Sequence, residues 1–166
     1  IVLKNAPILL EQPDNYESRA EVMWAGSLSH NGLTGCGIKN KDFATHMLEH
    51  ELGGVYDVAH GAGLAAVWGS WARYVYKECL GRFKKFAINV MNVEEVGSDE
   101  EIALEAMEKF YHSIGMPTSI KELGLELSDA DIEKLADQCC DACGGHKGSA
   151  KVLYREDIVK IYKMAR

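Results

Sequence analysis

A chain of 166 residues with 47% apolar side chains is long enough to bury one core and too apolar to be disordered. Its net charge of −7 argues against a nucleic-acid partner, which needs a basic face, and no apolar run approaches the ~20 residues of a membrane span. Five cysteines, an odd number with Cys139 and Cys140 adjacent, and the lack of a secretory segment predict reduced thiols and a cytoplasmic protein.

Nearly every segment has helical character. Residues 1–11 begin without Met and in mid-pattern, like the end of a longer helix. Pro13-Asp14-Asn15 supplies a turn and an N-cap. The helix that follows carries Val22, Met23, Trp24 and Leu28 as its apolar stripe and frays at His30-Asn31-Gly32. Gly32, Gly35 and Gly37 mark a loop, and Lys41-Asp42 is the expected start of a histidine-bearing helix. After a break at Gly53-Gly54, a second helix runs from Gly61 through Trp68, Trp71 and Tyr76, its first turns small and apolar on most sides. Phe83, Phe86, Ile88 and Val90 predict a short helix, and Ser98-Asp99-Glu100-Glu101 a capping box that opens another, ending at Gly115-Met116-Pro117. Ser128 caps a helix to Cys143, residues 144–148 form a loop, and Tyr154 to Ala165 close the chain. No strand alternation persists, so the expected class is all-α, a helical bundle with short loops.

The stretch with chemical content is Thr45 to Gly61, which holds three of the six histidines. His46 and His50 stand at i and i+4 and share a helix face. His60 cannot join them on one unbroken helix, because fourteen residues span about 21 Å and ligands of one ion bind at about 2 Å each. A helix–turn–helix with converging imidazoles solves this. His46-Met47-Leu48-Glu49-His50 also matches H-x-x-E-H, the inverted zinc-peptidase signature. There both histidines bind zinc, Glu49 activates water, and Glu122 or Glu126 completes the site. Two histidines that merely share a face satisfy the same string. Gly61, Ala62, Gly63, Ala65 and Ala66 after His60 suit close approach of backbone and cofactor, which such a peptidase does not need.

His46-x3-His50-x9-His60-Gly-x-Gly-Leu-Ala resembles the C-terminal half of the iron-containing (group III) alcohol dehydrogenases, especially the butanol dehydrogenase branch. Asn5-Ala6-Pro7, Pro13 to Tyr16, Met23-Trp24-Ala25, Asn31-Gly32-Leu33, Gly115-Met116-Pro117 and Glu156-Asp157-Ile158 extend the likeness over the whole chain. The resemblance implies the C-terminal metal- and substrate-binding helical domain of a dehydroquinate synthase-like fold, spanning residues 1–166. It implies an NAD(P)-dependent enzyme with one divalent metal, Fe(II) or Zn(II), that interconverts primary alcohols and aldehydes. By the same resemblance His46 and His60 fall on the last two metal ligands. His50 falls on the non-ligand histidine beside the nicotinamide and substrate, and Glu49 has no metal role and points away. The family's Asp-x3-His ligand pair and its nucleotide-binding domain lie upstream of Ile1, so that domain is an expected partner. The isolated chain is expected to hold metal weakly, to be inactive, and to self-associate through an apolar face at Gly61 to Val67; the intact family member is expected to be a homo-oligomer. A zinc peptidase and a non-catalytic helical association module are the alternatives.

Other candidates read as structural. Cys139, Cys143 and His146 have the spacing of a soft metal site but suit packing better. His146 suits solvent or a pocket edge, and His30 and His112 structural positions. Trp24, Trp68 and Trp71 suit the core, although Trp68 lies two turns from His60.

Overall fold

The computed structural model describes residues 1–94 and 101–166, the side chains of 101–103 excepted. Among these residues all the named elements are helical, and one isolated antiparallel bridge joins Lys147 and Leu153. The all-α expectation holds. No helix among the described residues is long and apolar enough to cross a membrane. The capping box expected at 98–101 lies outside the described residues.

The chain divides into two compact units, residues 1–41 and 42–166. In the first, α1 (Val2–Glu11) packs on α2 (Tyr16–His30). Asn15 caps α2 as expected, its Oδ1 accepting the Ser18 amide at 3.0 Å. The apolar stripe is narrower than expected. Val22 and Leu28 are half-buried, whereas Met23 is 73% and Trp24 58% exposed. Successive helical residues turn about 100°, so 23 and 24 rotate off the face that 22 and 28 share, and Trp24 is no core residue.

In the second unit α3 (Ala44–Tyr56) lies against α4 (His60–Val75), and α7 (Asp129–Cys143) and α8 (Arg155–Ala165) pack on each other behind them. Two further helices, α5 (Leu80–Asn89) and α6 (Glu101–Ser113), pack together, and α6 also packs on α4. Leu48, Leu52, Val67, Ile132, Leu135 and Tyr162 form the centre of the core, each 1% exposed or less. Each large apolar side chain buried there contributes roughly 1.5–3 kcal/mol. Trp68 belongs to this packing, ringed by Phe86 at 6.0 Å and Tyr111 at 6.1 Å.

Helix ends follow local chemistry where a side chain can reach. Ser128 and Asp131 make a reciprocal capping box for α7, and Gly144 ends it in the left-handed region at φ 74°. Asp42 does not start α3; its Oδ1 accepts the Ala44 amide at 2.9 Å from just outside the helix. The break expected at Gly53-Gly54 is absent. Both glycines lie inside α3, which ends at Asp57, a non-glycine residue in the left-handed region at φ 55°. The Asp57 amide closes the last turn on the Gly53 carbonyl. Glycine lowers helix propensity by only about 1 kcal/mol, less than the packing of Leu48 and Leu52 supplies.

Candidate functional site

The site is the mouth of the α3–α4 hairpin. The single helix α3 carries His46 and His50, whose ring centroids are 6.4 Å apart. Asp57, Val58 and Ala59 reverse the chain, and His60 is the first residue of α4. Its ring lies 5.5 Å from that of His46 and 5.6 Å from that of His50. The structure therefore brings together all three histidines singled out from the sequence, across a ten-residue gap that no single helix could close. His46 is half-buried with the Phe43 ring edge-on at 5.1 Å, and His50 and His60 are exposed.

Glu49 departs from expectation. It does not point away from the histidines: its Oε2 accepts a hydrogen bond from Nδ1 of His60. The carboxyl group is buried between the two helices, its side chain 2% exposed against 53% for His60. Glu49, His50 and His60 offer ligand atoms that all lie within 4.8 Å of one another, a group able to hold a metal ion. The sequence signal for Glu49 was present in H-x-x-E-H, but that pattern could not say which way the carboxyl group turned. Its burial does not suit activation of a water, and neither Glu122 nor Glu126 joins the group. Glu122 instead accepts the Thr118 amide at 2.7 Å and contacts His112 at 3.2 Å. The peptidase arrangement is thus not assembled.

The small residues after His60 also have a different use from the one expected. Gly63, Ala65, Ala66 and Val67 are buried against the protein's own helices, so residues 61–67 present no continuous exposed apolar face. Leu64 is half-buried and Gly61 exposed.

Elsewhere the candidates resolve as structure. Cys139 is buried, Cys140 and Cys143 are partly buried, and among the described residues these thiols and His146 form no metal-capable group. Burial pushes the Cys139 thiol well above its ordinary range, as a packing cysteine requires. His146 is exposed, 5.8 Å from the Tyr154 ring. Its loop is held to the start of α3 by Asp42, whose Oδ2 accepts the Ser149 and Ala150 amides at 2.7 and 2.9 Å. His112 contacts Thr118 Oγ1 at 2.9 Å, and His30 is exposed.

The donor chemistry fits a divalent first-row metal. Imidazole nitrogens suit Fe(II) and Zn(II) alike. A ring whose Nδ1–H is engaged by a carboxyl group keeps Nε2 as its donor.

Comparison with known proteins agrees. A family model described as "Fe-containing alcohol dehydrogenase family, C-terminal" matches residues 1–166. NADH-dependent butanol dehydrogenase A of Clostridium acetobutylicum is 35% identical over 97% of this chain, and a probable NADH-dependent butanol dehydrogenase 1 of Bacillus subtilis is 36% identical over 98%. Each match spans 42% of the relative's own length. Among solved structures, NADH-dependent butanol dehydrogenase A from Thermotoga maritima superposes with a TM-score of 0.91 at 34% identity, covering 99% of this chain and 43% of that one. The substrate- and cofactor-free aldehyde reductase YqhD from E. coli superposes at 0.90 with 30% identity, covering 99% and 43% respectively. With its histidine hairpin and this likeness along its whole length, the chain belongs to the Fe-containing alcohol dehydrogenase family, whose C-terminal part it matches.

Proposed function

We propose that this chain is the metal- and substrate-binding helical part of an NAD(P)-linked alcohol dehydrogenase that interconverts primary alcohols and aldehydes. The observation that carries the reading is the convergence of His46, His50 and His60 at one helical mouth. His46 and His60 are the residues that would hold the metal, Fe(II) or Zn(II), with further ligands from an upstream nucleotide-binding domain. A bound divalent ion supplies Lewis-acid polarisation of the alcohol or aldehyde oxygen. His50 is exposed on the same face one turn along, and in this reading it contacts the substrate and the nicotinamide of NAD(H) or NADP(H) and orients them for hydride transfer. The intact protein is expected to be a homo-oligomer, checked by light scattering, and cytoplasmic, checked by cell fractionation.

The test uses the full-length protein, with metal measured by elemental analysis and turnover followed with butanol and NAD+ or NADP+. His46→Ala and His60→Ala are expected to lose bound metal and turnover together. His50→Ala is expected to keep its metal and lose at least tenfold in turnover, within the range typical of positioned catalytic groups. Full metal content and turnover in both His46→Ala and His60→Ala would overturn the reading.

A further inference from the structure

Helix α3 presents His46, Glu49 and His50, and the proposed reaction uses only the two histidines. Glu49 remains unexplained by it. A carboxyl group buried to this degree requires a hydrogen-bond donor, and the donor it has is Nδ1 of His60. The neighbouring helix is shaped to admit it. A Cβ added at Gly63 would lie 2.7 Å from Glu49 Cγ and 2.9 Å from its Oε1, and one at Gly53 would lie 3.1 Å from Oε1. Gly63 is in the interior of α4 and outside the left-handed region, so its own backbone does not call for glycine. The side chain of Glu49 does. Two helices therefore keep a slot for one carboxyl group, which ends on a histidine whose ring is half in solvent.

The geometry points to Glu49 as a positioning residue for His60. Its carboxyl group takes the Nδ1–H, fixes the rotation of the ring, and leaves Nε2 as the nitrogen able to bind a metal ion. Without it the imidazole divides between two tautomers and several orientations, and ordering it falls to the metal. Gly63 acts through Glu49 by keeping the slot open. This inference rests on the proposed role of His60 as a ligand, so the two are tested side by side.

Affinity of the full-length protein for Zn(II) and for Fe(II) is measured by chelator competition in the native protein and in His60→Ala, Glu49→Ala, Glu49→Gln and Gly63→Ala. Circular dichroism checks that each variant is folded. Losing an outer carboxylate partner of a ligating histidine weakens metal binding about 10- to 100-fold, and Glu49→Ala is expected in that range. Glu49→Gln, whose amide oxygen still accepts from Nδ1–H, is expected to retain most of the affinity. In Gly63→Ala the new residue favours the helix but displaces Glu49, so its affinity is expected to fall with that of Glu49→Ala. Nitrogen-15 NMR of the metal-free protein is expected to show His60 as the Nδ1–H tautomer in the native chain and as a mixture in Gly63→Ala. If His60→Ala binds metal like the native protein, the ligand reading fails and takes this inference with it. If His60→Ala loses metal while Glu49→Ala and Gly63→Ala bind normally, the ligand reading stands and the positioning role is overturned. If Glu49→Ala does not fold, the tautomer of His60 in the native protein and the affinity of Gly63→Ala decide the matter. A native Nε2–H tautomer would overturn the positioning role.

Discussion

Leu48 and Glu49 are neighbours on α3, and each ties the helix to a different partner. The Leu48 carbonyl accepts the Tyr162 hydroxyl of α8 at 2.6 Å, in a setting where both residues are 1% exposed or less. The Glu49 carboxyl group is equally buried, but its partner is the half-exposed imidazole of His60. On the α8 side of the helix the polar chain closes inside the protein. On the α4 side it opens onto the mouth. The same helix is thus anchored on one side and offers its ligands on the other. Rigidity of the site comes from residues that take no part in its chemistry.

The two sides of α3 can be tested by substitution. Tyr162→Phe keeps the ring in the core but removes the hydroxyl that bonds the Leu48 carbonyl, which then keeps only its partner within α3. The expected cost is about 0.5–1.5 kcal/mol, read by urea unfolding. A change near zero would show that the sealed side does not anchor α3.

A second substitution concerns the seam between α4 and the start of α8. There the Tyr74 hydroxyl donates to Asp157 Oδ1 at 2.5 Å and the Tyr154 amide to Asp157 Oδ2 at 2.9 Å. Burial by itself raises the Asp157 carboxyl, but these two donors together with the charges of Lys151 and Lys160 outweigh it and hold the group below its ordinary value. Burial and the same hydrogen bond push the Tyr74 hydroxyl up to about 12. A carboxylate lowered in the folded state stabilises the fold above its unfolded pKa, and that contribution is lost as pH falls through the folded value. A tyrosine raised in the folded state stabilises below its unfolded pKa of about 10 and loses that contribution as pH rises through the folded value. Thermal stability is therefore expected to fall below about pH 4. Asp157→Asn should flatten that acid limb by about 1 kcal/mol. An unchanged acid limb would remove Asp157 from the anchoring side.

The smallest effect is expected at Gly54, on the exposed surface of α3 near its end, where an added Cβ would meet nothing within 4 Å. Gly54→Ala should stabilise by about 0.5–1 kcal/mol through helix propensity, read as a raised thermal midpoint with metal affinity unchanged. Destabilisation would show that helix propensity does not set the contribution of this position.

Much of this architecture was legible from the chain. Asn15 and Ser128 announced helix starts because a short polar side chain can satisfy an amide of the first turn without outside help. Gly115 and Gly144 marked ends because the backbone there has positive φ. His46 and His50 were legible as a pair from their spacing, and the turn bringing His60 to them from the length of helix it would otherwise need to span. Other features were not legible. Gly53-Gly54 has the local signature of a break, yet neighbouring core leucines hold the helix through it. Trp24 has the composition of a core residue but the helix phase of a surface one. The small residues of 61–67 suggested an open apolar face, and packing against the rest of the unit covers most of it.

The helical class, most helix boundaries and the set of histidines can be read along the chain, because each follows from backbone preference and from periodicity. The orientation of Glu49 follows only from the packing of α3 on α4. A carboxyl group on a helix can turn to solvent, to a metal or to a neighbouring helix. Local sequence does not distinguish these outcomes, since the deciding contacts are with His60 and Gly63, eleven and fourteen residues away. Once α3 and α4 pack, the absence of a Cβ at Gly63 leaves the slot that the Glu49 side chain fills, and His60 Nδ1 supplies the hydrogen bond that its burial requires.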